Sequence, residues 1–184
     1  MLRSLVCFLF SILFSIVSYA DTAFRQLNID EENSRPLNIA IWYPTAETGS
    51  PEKVGENIAF YGTSALRDAI PEPGEHPLLL LSHGYGGNWR NLNWLASEMA
   101  AQGYIVAAVD HPGTTTFNKR SQDAKELWRR PQDLQRVMAK IIATPSLAGK
   151  VDTQRIAAAG HSLGGWTVLK LAGGRFDAQG QLVG

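Results

Sequence analysis

A six-residue segment, Gly-His-Ser-Leu-Gly-Gly at positions 160–165, constrains the fold of this chain more than any other part of its sequence. The run before it, Arg155–Ala159, is short and apolar as in a buried strand, and Trp166–Ala172 after it has the pattern of a helix. A strand and a helix joined by so tight a turn leave no space for side chains at the first and fifth positions of the segment. The sequence therefore predicts a strand, a strained turn that carries Ser162, and a helix.

Ser162 is the candidate nucleophile of the chain. Within a strand–turn–helix unit, the pattern G-x-S-x-G presents the serine hydroxyl at the exposed tip of the turn. The amino end of the following helix favours the negative charge that develops when such a serine attacks a carbonyl group. A serine nucleophile also needs a general base, and the sequence has no histidine after Ser162. We interpret Asp177, the one acidic residue after it, as a solvated loop residue.

A second segment predicts where that negative charge would be stabilised. Residues Pro77–Ser82 form a continuous apolar run, typical of a parallel strand that is buried on both faces. The run continues into His-Gly-Tyr-Gly-Gly at positions 83–87, and a His-Gly loop after an early strand supplies one backbone N–H donor to an oxyanion hole. We expect the N–H groups of Tyr85 and Leu163 to be the two donors. A glycine-rich turn with no catalytic part is the alternative interpretation.

Strand-like and helix-like segments alternate along the chain. The strand-like runs are Leu37–Pro44, Leu78–Ser82, Tyr104–Val109 and Arg155–Ala159. Helical spacing of apolar residues marks Asn91–Gln102 and a segment that opens at Pro131, and a short helix is expected near Ser64–Ile70. This alternation predicts an α/β fold with a mostly parallel sheet, whose ligand site lies at the carboxyl ends of the strands.

All four histidines of the chain precede Ser162. His111 follows the end of a strand, and we expect it to line the substrate site. His83 precedes the oxyanion turn and is expected to make a structural hydrogen bond. His161 adjoins the nucleophile but should point in another direction, into the core, and His76 is interpreted as solvated.

Three segments together resemble the platelet-activating-factor acetylhydrolase-like branch of the α/β-hydrolases. They are Leu81–Gly87, Gly103–Gly113 and Gly160–Gly165, within a resemblance that extends over residues 37–176. Bacterial members of this branch are often described as predicted dienelactone hydrolases, and polyester hydrolases and cutinases are related in architecture. The resemblance implies an α/β-hydrolase fold, Ser162 as the nucleophile of a serine ester hydrolase, Tyr85 and Leu163 as backbone oxyanion donors, and no cofactor or metal.

Members of this branch carry the triad acid and histidine on loops after later strands. We therefore expect both residues beyond Gly184, and interpret residues 21–184 as the N-terminal portion of an α/β-hydrolase domain, truncated before its C-terminal strands and helices. On this interpretation the parent protein hydrolyses a carboxylic, lipid or acetyl ester through an acyl-enzyme. The alternative is a non-catalytic fragment or a degenerate binding module. A dienelactone hydrolase with a cysteine nucleophile is disfavoured, because position 162 is serine.

The N-terminal 20 residues have the pattern of an export signal. Arg3 is followed by the apolar run Leu5–Val17 and by a small-residue cleavage site that ends at Ala20. The apolar run is shorter than the roughly 20 residues that a membrane span needs, although an uncleaved anchor is the alternative. Cys7, the only cysteine, lies within this segment, so the mature chain would have no disulfide. We therefore expect an exported protein, periplasmic or extracellular, with no stable membrane span after cleavage.

Charge excludes one class of partner. The chain has 17 basic and 17 acidic residues, a balance that offers no electrostatic footprint for nucleic acid. Its hydrophobic fraction of 45% is ordinary for a globular domain with a core of its own. The expected partner is a small-molecule or lipid ester, and the sequence leaves the oligomeric state open.

Overall fold

The structure is a computed structural model that describes residues 21–29, 35–119, 125–175, 177 and 183. The predicted export signal, residues 1–20, lies outside the described residues. Among the residues that are described, no helix is both long and apolar enough to cross a membrane.

Within the described ranges, seven strands form one sheet at the centre of the fold. In chain order they are β1 (Asp21–Ile29), β2 (Leu37–Thr45), β3 (Glu52–Val54), β4 (Thr63–Arg67), β5 (Glu75–Ser82), β6 (Ile105–Asp110) and β7 (Lys150–Gly160). Their order across the sheet is β3-β4-β1-β2-β6-β5-β7. Strand β5, which ends before the His-Gly-Tyr-Gly-Gly loop, and β7, which ends at the serine turn, are therefore neighbours.

The sheet is mixed rather than mostly parallel. Strand β5 pairs in parallel with both β6 and β7, whereas β2 runs antiparallel to β6 and to β1. Farther out, β4 pairs in parallel with β1 and antiparallel with β3. Among the strands that the sequence predicted, the parallel arrangement is confirmed for β5, β6 and β7 and is wrong for β2. At the carboxyl ends of these strands, loops converge on one edge of the sheet.

Helices cover both faces of the sheet. They are the 3₁₀ helix Trp89–Leu92, α1 (Asn93–Ala101), α2 (Arg129–Ala143), the 3₁₀ helix Pro145–Leu147 and α3 (Leu163–Leu171). Helix α1 packs through Ala96 and Ala100 on one face, together with the buried Trp42 and Trp89. Helix α2 packs on the opposite face through Leu134, Val137 and Ile141, and α3 lies on that face as well.

Strand β6 shows how alternation divides the two cores. Ile105, Ala107 and Val109 contribute to the core under α2, whereas Val106 and Ala108 contribute to the core under α1. Successive side chains of a strand point to opposite faces, so a strand between two helical layers must be apolar throughout. The continuous apolar run in the sequence is thus explained by burial on both faces.

The region between β2 and β5 contradicts the sequence prediction. The short helix expected near Ser64–Ile70 is absent, and Thr63–Arg67 is strand β4 instead. It pairs with β1, a strand that the sequence analysis did not predict, through Ala23 opposite Leu66 and Phe24 opposite Arg67. A helix of seven residues is marginal on its own, and whether such a segment forms a strand depends on the strands beside it.

Strand β7 lies at an edge of the described sheet. It pairs with β5 on one side, and Ile156 on this strand is 38% exposed. Beside it runs a groove of about 420 Å³ between β7, α2 and α3, whose apolar lining includes Leu80, Met138 and Val168. Apolar side chains along β7 are therefore left uncovered by the described residues.

Candidate active site

The turn after β7 holds Ser162 in a strained backbone conformation. Its φ is 54° and its ψ is −121°, at the junction between Gly160, the last residue of β7, and Leu163, the first residue of α3. A non-glycine residue in such a conformation costs about 1–3 kcal/mol, and such strain concentrates at functional sites. The Ser162 side chain is exposed to solvent. The predicted strand–turn–helix unit is confirmed, with the helix beginning directly after the serine.

The two glycines that flank this turn are required by close backbone contacts. A methyl group at Gly164 would lie 2.6 Å from the carbonyl carbon of Ser82 and 2.9 Å from the carbonyl oxygen of His83, and still closer to the carbonyl oxygen of Ser82. A methyl group at Gly160 would lie 2.8 Å from the backbone nitrogen of Gly165 and would overlap the carbonyl of Gly164. Both glycines therefore allow α3 to approach β5 and β7 at backbone distance, as the sequence predicted.

The loop after β5 lies directly against the serine turn. The N–H group of His161 donates to the carbonyl oxygen of Ser82 at 3.2 Å. A methyl group at Gly84 would lie 3.4 Å from the Ser162 Cβ. No described residue accepts a hydrogen bond from the N–H of Tyr85 or of Leu163. Neither N–H is therefore paired with a described residue, and that of Leu163 lies at the amino end of α3, directly after Ser162.

His83 orients the peptide group that carries the Tyr85 N–H. Its Nε2 accepts a hydrogen bond from the N–H of His111 at 3.1 Å, so the ring proton is assigned to Nδ1. That Nδ1 donates to the carbonyl oxygen of Gly84 at 2.6 Å. The carbonyl of Gly84 and the N–H of Tyr85 belong to one planar peptide group, so fixing the first also fixes the direction of the second. The expected structural hydrogen bond of His83 is confirmed.

His111 lies in the interior and does not line the exposed site, contrary to the sequence expectation. It is 0% exposed, its Nδ1 donates to Asp133 at 2.9 Å, and its Nε2 lies 2.9 Å from the hydroxyl of Ser82. Both ring nitrogens are therefore engaged. The connectivity Asp133–His111–Ser82 matches that of a catalytic triad, but Ser82 is also 0% exposed and no substrate carbonyl reaches it.

Two arginines complete this buried polar cluster. Arg35 binds Asp133 in a bidentate manner, through its Nε and Nη2 at 2.8 Å each. Arg130 is 1% exposed and donates to Ser82 Oγ at 3.2 Å, and also to the carbonyl oxygen of His83. This cluster was not predicted from the sequence, although a signal for it exists: Arg130 and Asp133 share the helical face of α2 that carries Leu134, Val137 and Ile141.

Burial sets the protonation states of the cluster. It lowers the pKa of His83 to about 3, with the nearby His111 ring acting in the same direction, and it lowers the pKa of His111 to about 4 despite the hydrogen bond to Asp133. Burial alone would raise the pKa of Asp133, but hydrogen bonds from His111 and Arg35 outweigh it and lower that pKa. Asp133 is therefore ionised and both histidines are neutral at pH 7.

The two neutral histidines predict acid sensitivity. In the unfolded chain a histidine titrates near pH 6.5. Below that pH the unfolded state therefore binds protons that the folded state does not bind. Stability is therefore complete above about pH 6.5 and decreases as the pH falls towards about 4 and about 3, the folded-state pKa values. Between pH 7 and pH 5, each histidine should lower the free energy of unfolding by about 2 kcal/mol.

Urea unfolding at pH 7, 6 and 5 measures this loss of stability. We expect His83→Gln to halve the pH-dependent loss. A free energy of unfolding that does not change with pH would contradict the prediction.

The other two histidines also differ from expectation. His161 is exposed rather than packed in the core, with its Nδ1 3.3 Å from where a Gly84 methyl group would lie. His76 is half-buried at the start of β5, with ring nitrogens 3.1 Å from the carbonyl oxygen of Gly103 and 3.2 Å from that of Glu72. No histidine forms a hydrogen bond with Ser162. Within the described ranges, no group of three or more His, Cys, Asp or Glu residues is arranged to hold a metal ion.

The sequence matches a known family over most of its length. The family described as PET hydrolase-like matches residues 41–180. The cutinase est1 of Thermobifida alba is 31% identical over 99 residues, which cover 54% of this chain and 31% of the cutinase. The platelet-activating factor acetylhydrolase of Gallus gallus is 28% identical over 158 residues, covering 58% of this chain and 37% of that protein. The chain thus spans about a third of the length of these relatives.

Solved structures agree with this assignment. A ferulic acid esterase from Streptomyces cinnamoneus has a TM-score of 0.71 and 25% identity over 83% of this chain and 55% of that chain. An acetyl xylan esterase from Paenibacillus sp. R4, at 19% identity and a TM-score of 0.53, shares the fold over 88% of this chain and 47% of its own. The serine turn, the adjoining loop after β5 and the matched region lead to one conclusion: the chain belongs to the PET hydrolase-like family of the α/β-hydrolase superfamily.

Proposed function

We propose that this chain forms the nucleophile and oxyanion portion of an exported serine ester hydrolase. The observation that carries the proposal is the exposed Ser162, held at a φ of 54° beside two backbone N–H groups without a described acceptor. The names of its relatives, which include cutinases, an acetylhydrolase and a ferulic acid esterase, support an ester bond as the target. The substrate class is a carboxylic ester of a small molecule or a lipid.

In the proposed mechanism, the Ser162 hydroxyl oxygen attacks the ester carbonyl carbon while a general base accepts the hydroxyl proton. The carbonyl oxygen gains the negative charge of the tetrahedral intermediate and accepts hydrogen bonds from the N–H groups of Tyr85 and Leu163. Collapse of the intermediate releases the alcohol, which takes the proton from the base, and leaves an acyl-enzyme. Water then attacks the acyl carbon while the base accepts one of its protons, and a second tetrahedral intermediate forms. Its collapse breaks the bond to Ser162 Oγ, which takes the proton from the base, and releases the carboxylic acid. Each oxyanion donor in such a site typically contributes about 3–4 kcal/mol to lowering the barrier.

The general base of this mechanism is not among the chain's own histidines. His83 and His111 have both ring nitrogens engaged in the interior, and His76 binds carbonyl groups at the opposite end of β5. His161 directly precedes the serine and makes no hydrogen bond with it. We therefore propose that a histidine and an acid beyond Gly184 complete the triad, and that export follows from the signal in residues 1–20.

The same observation supports a second candidate, a module that binds esters without hydrolysing them. A strained, exposed serine beside free N–H donors would still bind a carbonyl or a carboxylate oxygen when no base is present. The two candidates differ in the reactivity of the Ser162 hydroxyl, because only a serine with a base attacks phosphorus or carbon electrophiles rapidly.

A fluorophosphonate probe on the full-length protein distinguishes these candidates. We expect covalent labelling of Ser162, located by peptide mass spectrometry, together with hydrolysis of p-nitrophenyl acetate. Ser162→Ala should lower turnover by about 10⁴-fold or more, since the nucleophile is lost while the oxyanion donors remain. Ser146→Ala, at an exposed serine outside the site, is the matched control and should leave both readouts unchanged.

Three outcomes would overturn the proposal of a hydrolase with Ser162 as its nucleophile. Ester hydrolysis that survives in Ser162→Ala would show that another group is the nucleophile, and labelling at Ser82 would point to the buried Asp133–His111–Ser82 chain instead. A full-length protein that binds acetate or butyrate but never reacts with the probe would favour the binding module.

A further inference from the structure

Arg130 is a buried cation that donates hydrogen bonds to uncharged oxygen atoms. Its guanidinium contacts Thr167 Oγ1 at 2.9 Å, Thr114 Oγ1 at 2.7 Å and Ser82 Oγ at 3.2 Å, and it also donates to the carbonyl oxygen of His83. Among the described residues no carboxylate forms an ion pair with it. Burying a charge without an ion-pair partner is costly, and the planar fork of arginine compensates by placing several charge-assisted hydrogen bonds at fixed angles.

The first of these contacts leads to the Leu163 donor. Thr167 lies in α3 and is 0% exposed, and its hydroxyl group donates a hydrogen bond to the carbonyl oxygen of Leu163 at 2.9 Å. Its oxygen is thereby free to accept from Arg130 Nε. Leu163 is the first residue of α3, where the helix has no preceding backbone partner to hold its N–H in place. Arg130 and Thr167 thus hold the helix end that presents this donor.

The remaining contacts lead to the Tyr85 donor. The carbonyl oxygen of His83, which accepts from Arg130, belongs to the peptide group just before the one that carries the Tyr85 N–H. On the other side of Tyr85, the N–H of Gly86 donates to the carbonyl oxygen of Thr114 at 2.8 Å. Arg130 binds the hydroxyl of that same threonine, which is 1% exposed. The oxyanion loop is therefore held on both sides of Tyr85 by groups that one guanidinium contacts.

We propose that Arg130 is a positioning residue that sets the separation between the two oxyanion donors, the N–H groups of Tyr85 and Leu163. This inference rests on the proposed ester hydrolase. The two donors come from different strand–loop–helix units and must converge on a single oxygen atom. Their convergence depends on a rigid link between the units, and Arg130 supplies it from a third element, α2. Because displacement of a catalytic group by about 1 Å can cost 10²-fold in rate, such a link affects turnover without contact with the substrate.

The test compares variants of Thr167 and Arg130 in the full-length protein. Thr167→Val removes the hydroxyl at nearly constant volume, whereas Thr167→Ser retains it. We expect Thr167→Val to lower kcat for p-nitrophenyl acetate about 10-fold and Arg130→Lys about 100-fold, with KM within about twofold in both. Thr167→Ser should restore kcat to within about twofold of the wild type. Arg129→Lys, at the neighbouring arginine that is one-third exposed, is the matched control and should change neither constant.

Amide hydrogen exchange provides a readout that does not depend on catalysis. We expect Arg130→Lys and Thr167→Val to accelerate exchange at the N–H groups of Gly86 and His161, which bind Thr114 and Ser82, by at least about 10-fold relative to the rest of β5. The proposal would be overturned if both variants exchanged these two amides at the wild-type rate, or if Thr167→Val had the kcat of the wild type. If the wild type is inactive but the variants accelerate exchange, the hydrolase assignment fails while the link through Arg130 stands as a structural finding.

Discussion

Replacing Gly164 with alanine should lower the free energy of unfolding by more than about 3 kcal/mol. The new methyl group would meet backbone atoms of β5 and its loop, 2.6 Å from the carbonyl carbon of Ser82 and 2.9 Å from the carbonyl oxygen of His83. Backbone atoms in the middle of a sheet cannot rotate away as a flexible side chain would. Relief requires α3 to move away from β5, which breaks the hydrogen bond from the His161 N–H to Ser82.

The adjacent Gly165 provides the matched control. A methyl group there would have its nearest neighbour, the carbonyl oxygen of Gly160, at 3.5 Å, which is an ordinary van der Waals distance. Alanine is favoured over glycine within a helix by about 1 kcal/mol, so Gly165→Ala should be neutral or slightly stabilising. Urea unfolding followed by tryptophan fluorescence measures both variants. Equal stability of the two variants would contradict the packing explanation.

Replacing Asp133 with alanine is expected to cost about 3–5 kcal/mol, the range for removing one partner from a buried ion pair. The substitution removes the acceptor for two Arg35 nitrogens at 2.8 Å and for His111 Nδ1 at 2.9 Å. Arg35 keeps its charge in a mostly buried position, and His111 retains an N–H donor without an acceptor. Chemical denaturation at pH 7 measures the loss.

The matched control for Asp133 is Asp152→Ala. Asp152 is partly exposed and binds the 60% exposed Arg155 at 2.5 Å, three residues along the chain. Surface ion pairs contribute little to stability because water solvates both partners after separation. The variant Asp133→Asn distinguishes the contribution of the negative charge from that of side-chain packing, since asparagine has the same size as aspartate, no charge and one carbonyl oxygen. Asp133→Ala behaving like Asp152→Ala would show that the buried cluster does not stabilise the fold.

The serine turn and the position of the loop after β5 could be predicted because their signals are local. A strand, two glycines around a serine and a helix lie within adjacent residues, so the pattern in the sequence is also the pattern in space. The same holds for the apolar run of β5 and the His83-Gly84 loop that follows it. The positive φ at Ser162 and the close approach of the Gly164 backbone to β5 restrict the residue types that fit these two positions.

The buried cluster could not be predicted because its members come from distant parts of the chain. Ser82 and His111 are 29 residues apart, and Arg35 reaches Asp133 across 98 residues. The sequence correctly predicted that His111 follows the end of a strand, but it did not predict which element would bury its side chain. Helix α2 supplies that cover, and its own charged residues convert the position from a surface site into a sealed polar interior.

Local pattern alone therefore determined the α/β class and the strand–turn–helix unit that carries Ser162. The tertiary structure decided that Thr63–Arg67 is a strand, that the sheet is mixed, and that His111 is inaccessible. A turn is dictated by steric limits within a few residues, whereas pairing and burial depend on which distant segment supplies the opposite hydrogen bonds and covers the side chain.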